Sequence, residues 1–156
     1  MTNDPILIAA RENIGGSLSE IRKAVVALTA DQLNARPAGE GSNPLGVIAI
    51  HALGSTRSWL ALATGAPLSP RDRPAEFRTV VENPEAFVAD VDGQIAAILA
   101  LIDVAEMFDP SRSGVATWTR AGADEPVTAA WALQHALAHL GEHVGHAQLT
   151  RQLIET

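Results

Sequence analysis

Apolar residues recur at every third or fourth position in four long stretches of this chain, a spacing that predicts four amphipathic helices. Three of these stretches begin where an aspartate or asparagine stands directly before a proline. In that arrangement the polar side chain caps the helix and the proline occupies its first position. The predicted helices cover residues 5–28, 44–65, 84–107 and 129–154, and Thr128 is the expected cap of the last one.

The segments between these helices differ in length and composition. Residues 31–41 contain proline, glycine and asparagine and predict a connecting loop. Residues 66–82 carry three prolines and several arginines, and we interpret them as a surface excursion over the helices. Within residues 109–126, the piece VATWTRAG has β-branched residues and partial alternation, which favours a short extended arm or hairpin. Two segments are longer than the roughly two to eight residues usual between bundle helices, so we expect crossover connections.

Four helices of roughly 20 to 26 residues predict an all-α fold, a four-helix bundle with crossover connections that forms one domain over residues 1–156. The second helix is apolar around almost its whole circumference, which predicts that it is buried. The Gly15-Gly16 pair interrupts the first helix and permits a bend or a close helix contact. The third helix is expected to turn seven residues inward: Phe87, Val91, Ile95, Ile98, Leu99, Ile102 and Met107.

The composition narrows the possible classes of function. Lysine and arginine number 11 against 18 aspartates and glutamates, which gives a formal charge of −7. This charge argues against nucleic-acid binding, which depends on basic surface. Since cysteine is absent, a metal site must use histidine, carboxylate, backbone or water ligands, and any thiol must come from outside the chain.

The N-terminal residues lack the basic start and long apolar core of a signal peptide. The longest clean apolar run, residues 95–102, is too short to span a bilayer. We therefore expect a cytoplasmic protein without a membrane partner.

Four of the five histidines lie within residues 134–149: His135, His139, His143 and His146. A helix turns by about 100° per residue, so the four imidazoles share one stripe roughly 80° wide. Buried imidazoles need partners, and a divalent metal suits histidines four residues apart. The ligand pair is His135/His139, His139/His143 or His143/His146, and the spacing does not choose among them. Three histidine ligands would leave an open position, as in catalytic zinc sites.

The fifth histidine, His51, lies within the second predicted helix, and Ser55 follows one turn later on the same side. Ser55 is either a packing residue or a hydrogen-bond partner for a substrate. Glu142 neighbours the candidate ligands and is either a charge at the edge of the groove or a partner that orients an imidazole. The tryptophans are expected to pack: Trp59 in the core, Trp131 under residues 109–126, and Trp118 within that segment, where it is alternatively a pocket wall.

The sequences NPLGVIAIHALGSTRSWL in the second helix and WALQHALAHLGEHVGHAQLTR in the fourth resemble the DinB-like superfamily. This superfamily of metal-binding four-helix bundles includes the mycothiol-dependent maleylpyruvate isomerases and the bacillithiol transferases. Helix lengths and order extend the resemblance over nearly the whole chain. It implies that His51, His139 and His143 hold one metal, with His146 and His135 as neighbouring pocket residues.

The resemblance has two further implications for single residues. The maleylpyruvate-isomerase branch often has glutamate where this chain has His139, so this chain is closer to the three-histidine pattern. Arg151 matches an arginine common near the end of the last helix, where it serves either a substrate or a surface salt bridge.

The resemblance implies a metal-dependent enzyme that activates a low-molecular-weight thiol for S-transfer to a small electrophile. A metal held by neutral imidazoles keeps its charge and can deprotonate a bound thiol, or lower the pKa of a bound water to about 7 and so support hydrolysis. Zinc or nickel is the expected metal, although such a site accepts several first-row metals.

The alternative is a non-enzymatic metal-binding or stress-associated bundle. Family members are commonly homodimers, and the low charged fraction of 19% agrees with a helix face used for self-association.

Overall fold

The computed structural model of this protein describes residues 2–116 and 125–156. This part of the chain forms four long helices and two short ones, with a two-stranded sheet directly before the last helix. In chain order the elements are α1 (Pro5–Val25), α2 (Ala30–Asn34), α3 (Leu45–Thr64), α4 (Arg73–Glu76), α5 (Pro84–Asp103), β1 (Ser113–Ala116), β2 (Glu125–Thr128) and α6 (Ala129–Ile154). The predicted all-α bundle is confirmed.

The four long helices form the bundle with α3 at its most buried position. Helix α6 packs against α1 and α3, and α5 packs against the other sides of the same two helices. Helix α1 therefore lies diagonally opposite α3, and α5 lies diagonally opposite α6. This is the crossover arrangement expected from the long connections. Helix α3 is long and apolar enough to cross a membrane by length and composition alone, but 83% of its apolar window is buried within the structure.

The predicted helix caps are confirmed at three of the four long helices. Asp4 accepts hydrogen bonds from the backbone N–H groups of Ile6 and Leu7, and Asn83 and Thr128 cap α5 and α6 in the same way. Helix α3 differs, because Pro44 is its N-cap and no side chain accepts a hydrogen bond there. At its other end Gly65 has φ +75°, a left-handed conformation that favours glycine and ends the helix as predicted.

The end of α5 was predicted wrongly. The helix ends at Asp103 rather than at residue 107, and Met107 is 78% exposed instead of facing inward. The chain turns away after Val104 because Phe108 enters the core and its backbone N–H donates to Asp4 Oδ2 at 3.0 Å. Helix α1, in contrast, runs through its glycine pair without interruption.

The connecting segments contain more structure than the sequence suggested. Residues 31–41 are not only a loop, since α2 begins at a capping box between Thr29 and Gln32 and buries Leu33. Residues 66–82 are not only a surface excursion, because α4 buries Glu76 against α3. Of the predicted extended arm VATWTRAG, only Val115 and Ala116 are described; they lie in β1, which pairs with β2 in antiparallel orientation. Residues 117–124, including Trp118, lie outside the described residues.

Arg151 has a structural role at the end of the neighbouring helix. Its Nη1 donates hydrogen bonds to the carbonyl oxygens of Lys23, Ala24 and Val26, at 2.6, 3.2 and 2.9 Å. These are carbonyls at the C-terminus of α1, where a positive charge is favourable. Arg151 also pairs with Glu155 at 2.8 Å on the same helix. The arginine therefore fastens α6 to α1 and does not face the histidines.

We expect Arg151→Ala to lower the free energy of unfolding by about 2 kcal/mol, since hydrogen bonds from charged donors contribute roughly 1.5–3 kcal/mol. Urea unfolding monitored by circular dichroism measures this loss. Glu155→Gln is the matched control, because it removes only the exposed ion pair and should cost less than about 1 kcal/mol. Equal losses in the two variants would contradict a role at the end of α1.

Candidate metal centre

Three imidazoles from two helices converge at the interface of α3 and α6. His51 lies on α3 and is 7% exposed, and His139 and His143 lie one turn apart on the facing side of α6. One ligand nitrogen from each ring lies within 4.8 Å of the others, and the Nε2 atoms of His139 and His143 are 3.3 Å apart. The structure thus brings together the three residues that the family resemblance implied. Of the three pairs on the last helix that spacing alone left open, His139/His143 is the one that meets His51.

A buried carboxylate fixes the orientation of the His51 ring. Glu76 Oε2 lies 2.8 Å from His51 Nδ1, and both side chains are 9% exposed. Burial opposes ionisation of Glu76, but hydrogen bonds from His51 and Arg71 outweigh it and keep the pKa of this carboxyl below its usual value. An ionised carboxylate only accepts hydrogen bonds, so His51 Nδ1 carries a proton toward Glu76, and in the neutral form of this ring Nε2 has a free lone pair.

Arg71 holds this carboxylate from its other side. Its Nε and Nη2 donate to Glu76 Oε1 and Oε2 at 2.6 and 2.8 Å, in a bidentate pair. Gly54 on α3 makes the approach possible, because an added Cβ would collide with Glu76 Oε1. The proline-rich connector therefore supplies two buried charged residues that support a histidine on the core helix.

The two candidate ligands on α6, His139 and His143, are neutral over a wide pH range. Burial, with His51 and His135 nearby, lowers the pKa of His139 to about 4. Burial, with His139 and His51 beside it, lowers the pKa of His143 to about 3. Neutral imidazoles carry the lone pairs that a metal requires.

The donor set fits a divalent metal of the zinc type. Three neutral imidazoles are a common ligand set for catalytic zinc, and the convergence of their nitrogens matches one ion. His143 Nδ1 is buried and has no hydrogen-bond partner in the described residues. A buried nitrogen without a partner is unfavourable, so this ring has polar capacity that the described residues leave unused.

The depressed pKa values predict that the metal-free protein loses stability in mild acid. An unfolded histidine titrates near 6.5, whereas folded His139 and His143 titrate near 4 and 3. As pH falls below about 6.5, the unfolded chain binds protons that the folded chain does not, so the free energy of unfolding decreases. We expect a lower urea midpoint at about pH 5 than at about pH 7.5 in the presence of EDTA.

A variant with both His139→Gln and His143→Gln is the control for this pH dependence. It lacks the two imidazoles whose pKa values are lowered in the folded protein, so its urea midpoint should change less between about pH 5 and about pH 7.5. An equally steep dependence in the double variant would show that other groups cause it.

The centre opens into a cavity of about 680 Å³. Ser55 is buried and lines this cavity one turn after His51. His146 is exposed and contacts His143, with ring centroids 5.8 Å apart. Glu142 is exposed, also lines the cavity, and forms no hydrogen bond with a described residue, so it lies at the edge of the groove rather than orienting an imidazole.

Aromatic rings form one wall of the cavity. Trp131 stacks on His135 with centroids 4.8 Å apart and an interplanar angle of 8°, and Trp59 contacts both rings from the core side. Burial lowers the pKa of His135, and Glu142 only partly offsets this effect. Trp59 is buried as predicted, and Trp131 is 49% exposed on the cavity wall. Residues 117–124 of the segment expected to cover Trp131 lie outside the described residues.

Sequence reasoning missed Glu76, Arg71 and Phe77 as residues of the site. Phe77 packs against His51 with ring centroids 4.7 Å apart. The signal that was available is the acidic and basic composition of the connector, where charged residues stand between prolines. That pattern is typical of exposed loops, and it does not indicate that Glu76 folds inward.

Comparisons with known proteins agree with this architecture. The family model of the DinB superfamily matches residues 16–147. The chain is similar to the crystal structure of a conserved protein from Enterococcus faecalis, with a TM-score of 0.67 and 17% identity over 99% of this chain and 98% of that chain. At this identity the likeness concerns the fold alone. No curated protein matches the sequence.

Proposed function

Because this chain belongs to the DinB superfamily, we propose that it binds one divalent metal and activates a small thiol for transfer to an electrophile. The observation that carries the proposal is the convergence of His51, His139 and His143 within 4.8 Å at the base of an open cavity. Zinc and nickel are the metals that we propose first, since both accept imidazole ligands.

Each residue of the centre has a defined task in this proposal. His139 and His143 offer neutral nitrogens from one face of α6, and His51 offers its Nε2 from α3. Glu76 holds the His51 ring in the tautomer that leaves this nitrogen free. When bound, the metal supplies Lewis acidity, which favours the thiolate form of a thiol.

The surroundings of the centre support a reaction with a small molecule. Three protein ligands leave room for an exogenous one, and the cavity above them reaches solvent. The chain has no cysteine, so the sulfur nucleophile is supplied by a second small molecule. The aromatic wall of Trp59, Trp131 and His135 offers apolar surface on which the rest of that molecule can pack.

Metal titration of the metal-free protein tests the first half of the proposal. We expect about one equivalent of zinc per chain by calorimetry, because the described residues contain one such cluster of ligands. Cobalt-loaded protein then tests the second half, because thiolate coordination adds a sulfur-to-cobalt absorption band. A panel of thiols and electrophiles, followed by mass spectrometry, detects the conjugate.

The outcomes separate enzyme from binding protein. Zinc binding together with a thiol-dependent cobalt band and a conjugate supports the transferase. Zinc binding without either signal assigns the chain instead to non-enzymatic metal binding. Failure to bind zinc, nickel or cobalt contradicts the whole proposal. Protein held in EDTA is the control for reactions that need no metal.

A further inference from the structure

The cavity above the metal centre has a different charge balance from the rest of the chain. The protein carries a formal charge of −7, yet among the described residues two arginines and one glutamate line this cavity. Arg71 is neutralised by its bidentate pair with Glu76. Among the described lining residues the charges left are those of Arg73 and of Glu142, and Glu142 is exposed at the edge.

Arg73 lies at the cavity without a charged partner in the part of the chain that the structure describes. It is half-buried, and its guanidinium carbon lies 4.8 Å from the centroid of the Phe77 ring. It forms no hydrogen bond or ion pair with any residue of 2–116 or 125–156. Phe77 in turn packs on His51, so the arginine belongs to the same wall as the proposed metal ligand.

An unpaired, half-buried arginine is suited to bind an anion. Its planar donors match the two oxygens of a carboxylate, and stacking on an aromatic ring fixes the guanidinium with little loss of side-chain freedom. Electrostatic attraction is also stronger in a partly desolvated cavity than at an open surface. The aromatic wall formed by Trp59, Trp131 and His135 bounds the same cavity.

We infer that Arg73 recognises a carboxylate on the small molecule that enters this cavity. The ligand class is a small organic carboxylate, with its charged end at Arg73 and its apolar part against the aromatic wall. If the carboxylate and the thiol belong to the same molecule, the inference rests on the proposed function. It makes Arg73 a specificity-determining residue rather than a metal ligand.

A pair of thiols that differ in charge tests this inference on cobalt-loaded full-length protein. The probes are 3-mercaptopropionate and the neutral 3-mercaptopropionamide, titrated while the sulfur-to-cobalt band is recorded. We expect the carboxylate to bind more tightly, and Arg73→Gln to reduce that preference by about tenfold, the order of one charge-assisted hydrogen bond. Arg73→Lys should restore part of it, because charge is kept while the bidentate geometry is lost.

Arg78→Gln is the matched control. Arg78 is an exposed arginine of the same connector that does not line the cavity, so its loss changes the net charge equally. An unchanged preference in Arg78→Gln with a reduced one in Arg73→Gln supports local recognition. Equal effects in both variants, or no preference in the parent protein, overturn it. Cobalt content that is the same in all variants shows that the metal centre is intact.

The metal-free protein provides a second route to the same answer. Calorimetric titration with 3-mercaptopropionate, in EDTA, measures carboxylate binding when no metal is present. If the proposed metal site fails but binding persists and depends on Arg73, the inference stands while the proposed function falls. If metal binds and the carboxylate preference is absent, the proposed function stands while the inference falls. Absence of 3-mercaptopropionate binding in both forms contradicts the inference.

Discussion

Replacing His139 with alanine is expected to lower zinc affinity by more than about 100-fold. Loss of a residue that only hydrogen-bonds to a metal ligand typically costs roughly 10- to 100-fold, and loss of the ligand itself should cost more. His143→Ala and His51→Ala should have effects of the same size, since each removes one of the three ligand nitrogens that the described residues bring together here. Calorimetric titration and elemental analysis of the purified variants measure the loss. Added zinc should also no longer raise the midpoint of thermal unfolding, because that increase follows from binding to the folded state.

The two flanking histidines of α6 are the matched controls for this prediction. His146→Ala removes an exposed imidazole next to His143, and His135→Ala removes one that stacks on Trp131. Both should keep close to one equivalent of zinc. The assignment would be contradicted if His139→Ala kept its zinc while His135→Ala or His146→Ala lost it. The metal site would then lie elsewhere along α6.

The row of histidines on the last helix could be predicted from the sequence because a regular helix fixes relative angles. The choice of His139 and His143 within the row could not, since it depends on where His51 meets α6. That meeting point is set by the packing of α3 against α6 and so by the whole bundle. Only the family resemblance carried this long-range information before the structure was known.

The helices themselves follow closely from local signals. Asp4 and Asn83, each before a proline, and Thr128 before α6 mark starts that the structure reproduces, because capping satisfies backbone groups within the same few residues. The end of α5 could not be read in this way. It depends on a contact between Phe108 and Asp4, which lie 104 residues apart in the chain.

Glu76 illustrates the same limit within the site. Its neighbours in sequence are prolines, arginines and an aspartate, a composition typical of exposed connectors. Its burial is stabilised by Arg71, five residues earlier, and by His51, twenty-five residues away on another helix. A space above Gly54 admits the carboxylate, and no local pattern indicates that space.

We expect Glu76→Gln to reduce zinc affinity by about tenfold and to lower the free energy of unfolding by about 3 kcal/mol. The neutral amide oxygen still accepts a hydrogen bond from His51 Nδ1. The affinity falls because it makes the imidazole a weaker ligand for the metal than the carboxylate does. The stability falls because Arg71 loses its partner while both side chains remain buried, at 7% and 9% exposure. Calorimetry with zinc and urea unfolding measure the two effects separately.

Arg71→Gln distinguishes orientation of a ligand from general support of the fold. It also breaks the buried pair, so its loss of stability should resemble that of Glu76→Gln. It leaves the carboxylate in contact with His51, so zinc affinity should change by less than about threefold, well below the effect of losing an outer partner. If the two variants lose affinity in proportion to their loss of stability, Glu76 only holds the connector in place. If affinity falls in Glu76→Gln alone, the carboxylate acts on the metal through His51, and the proline-rich connector is part of the centre.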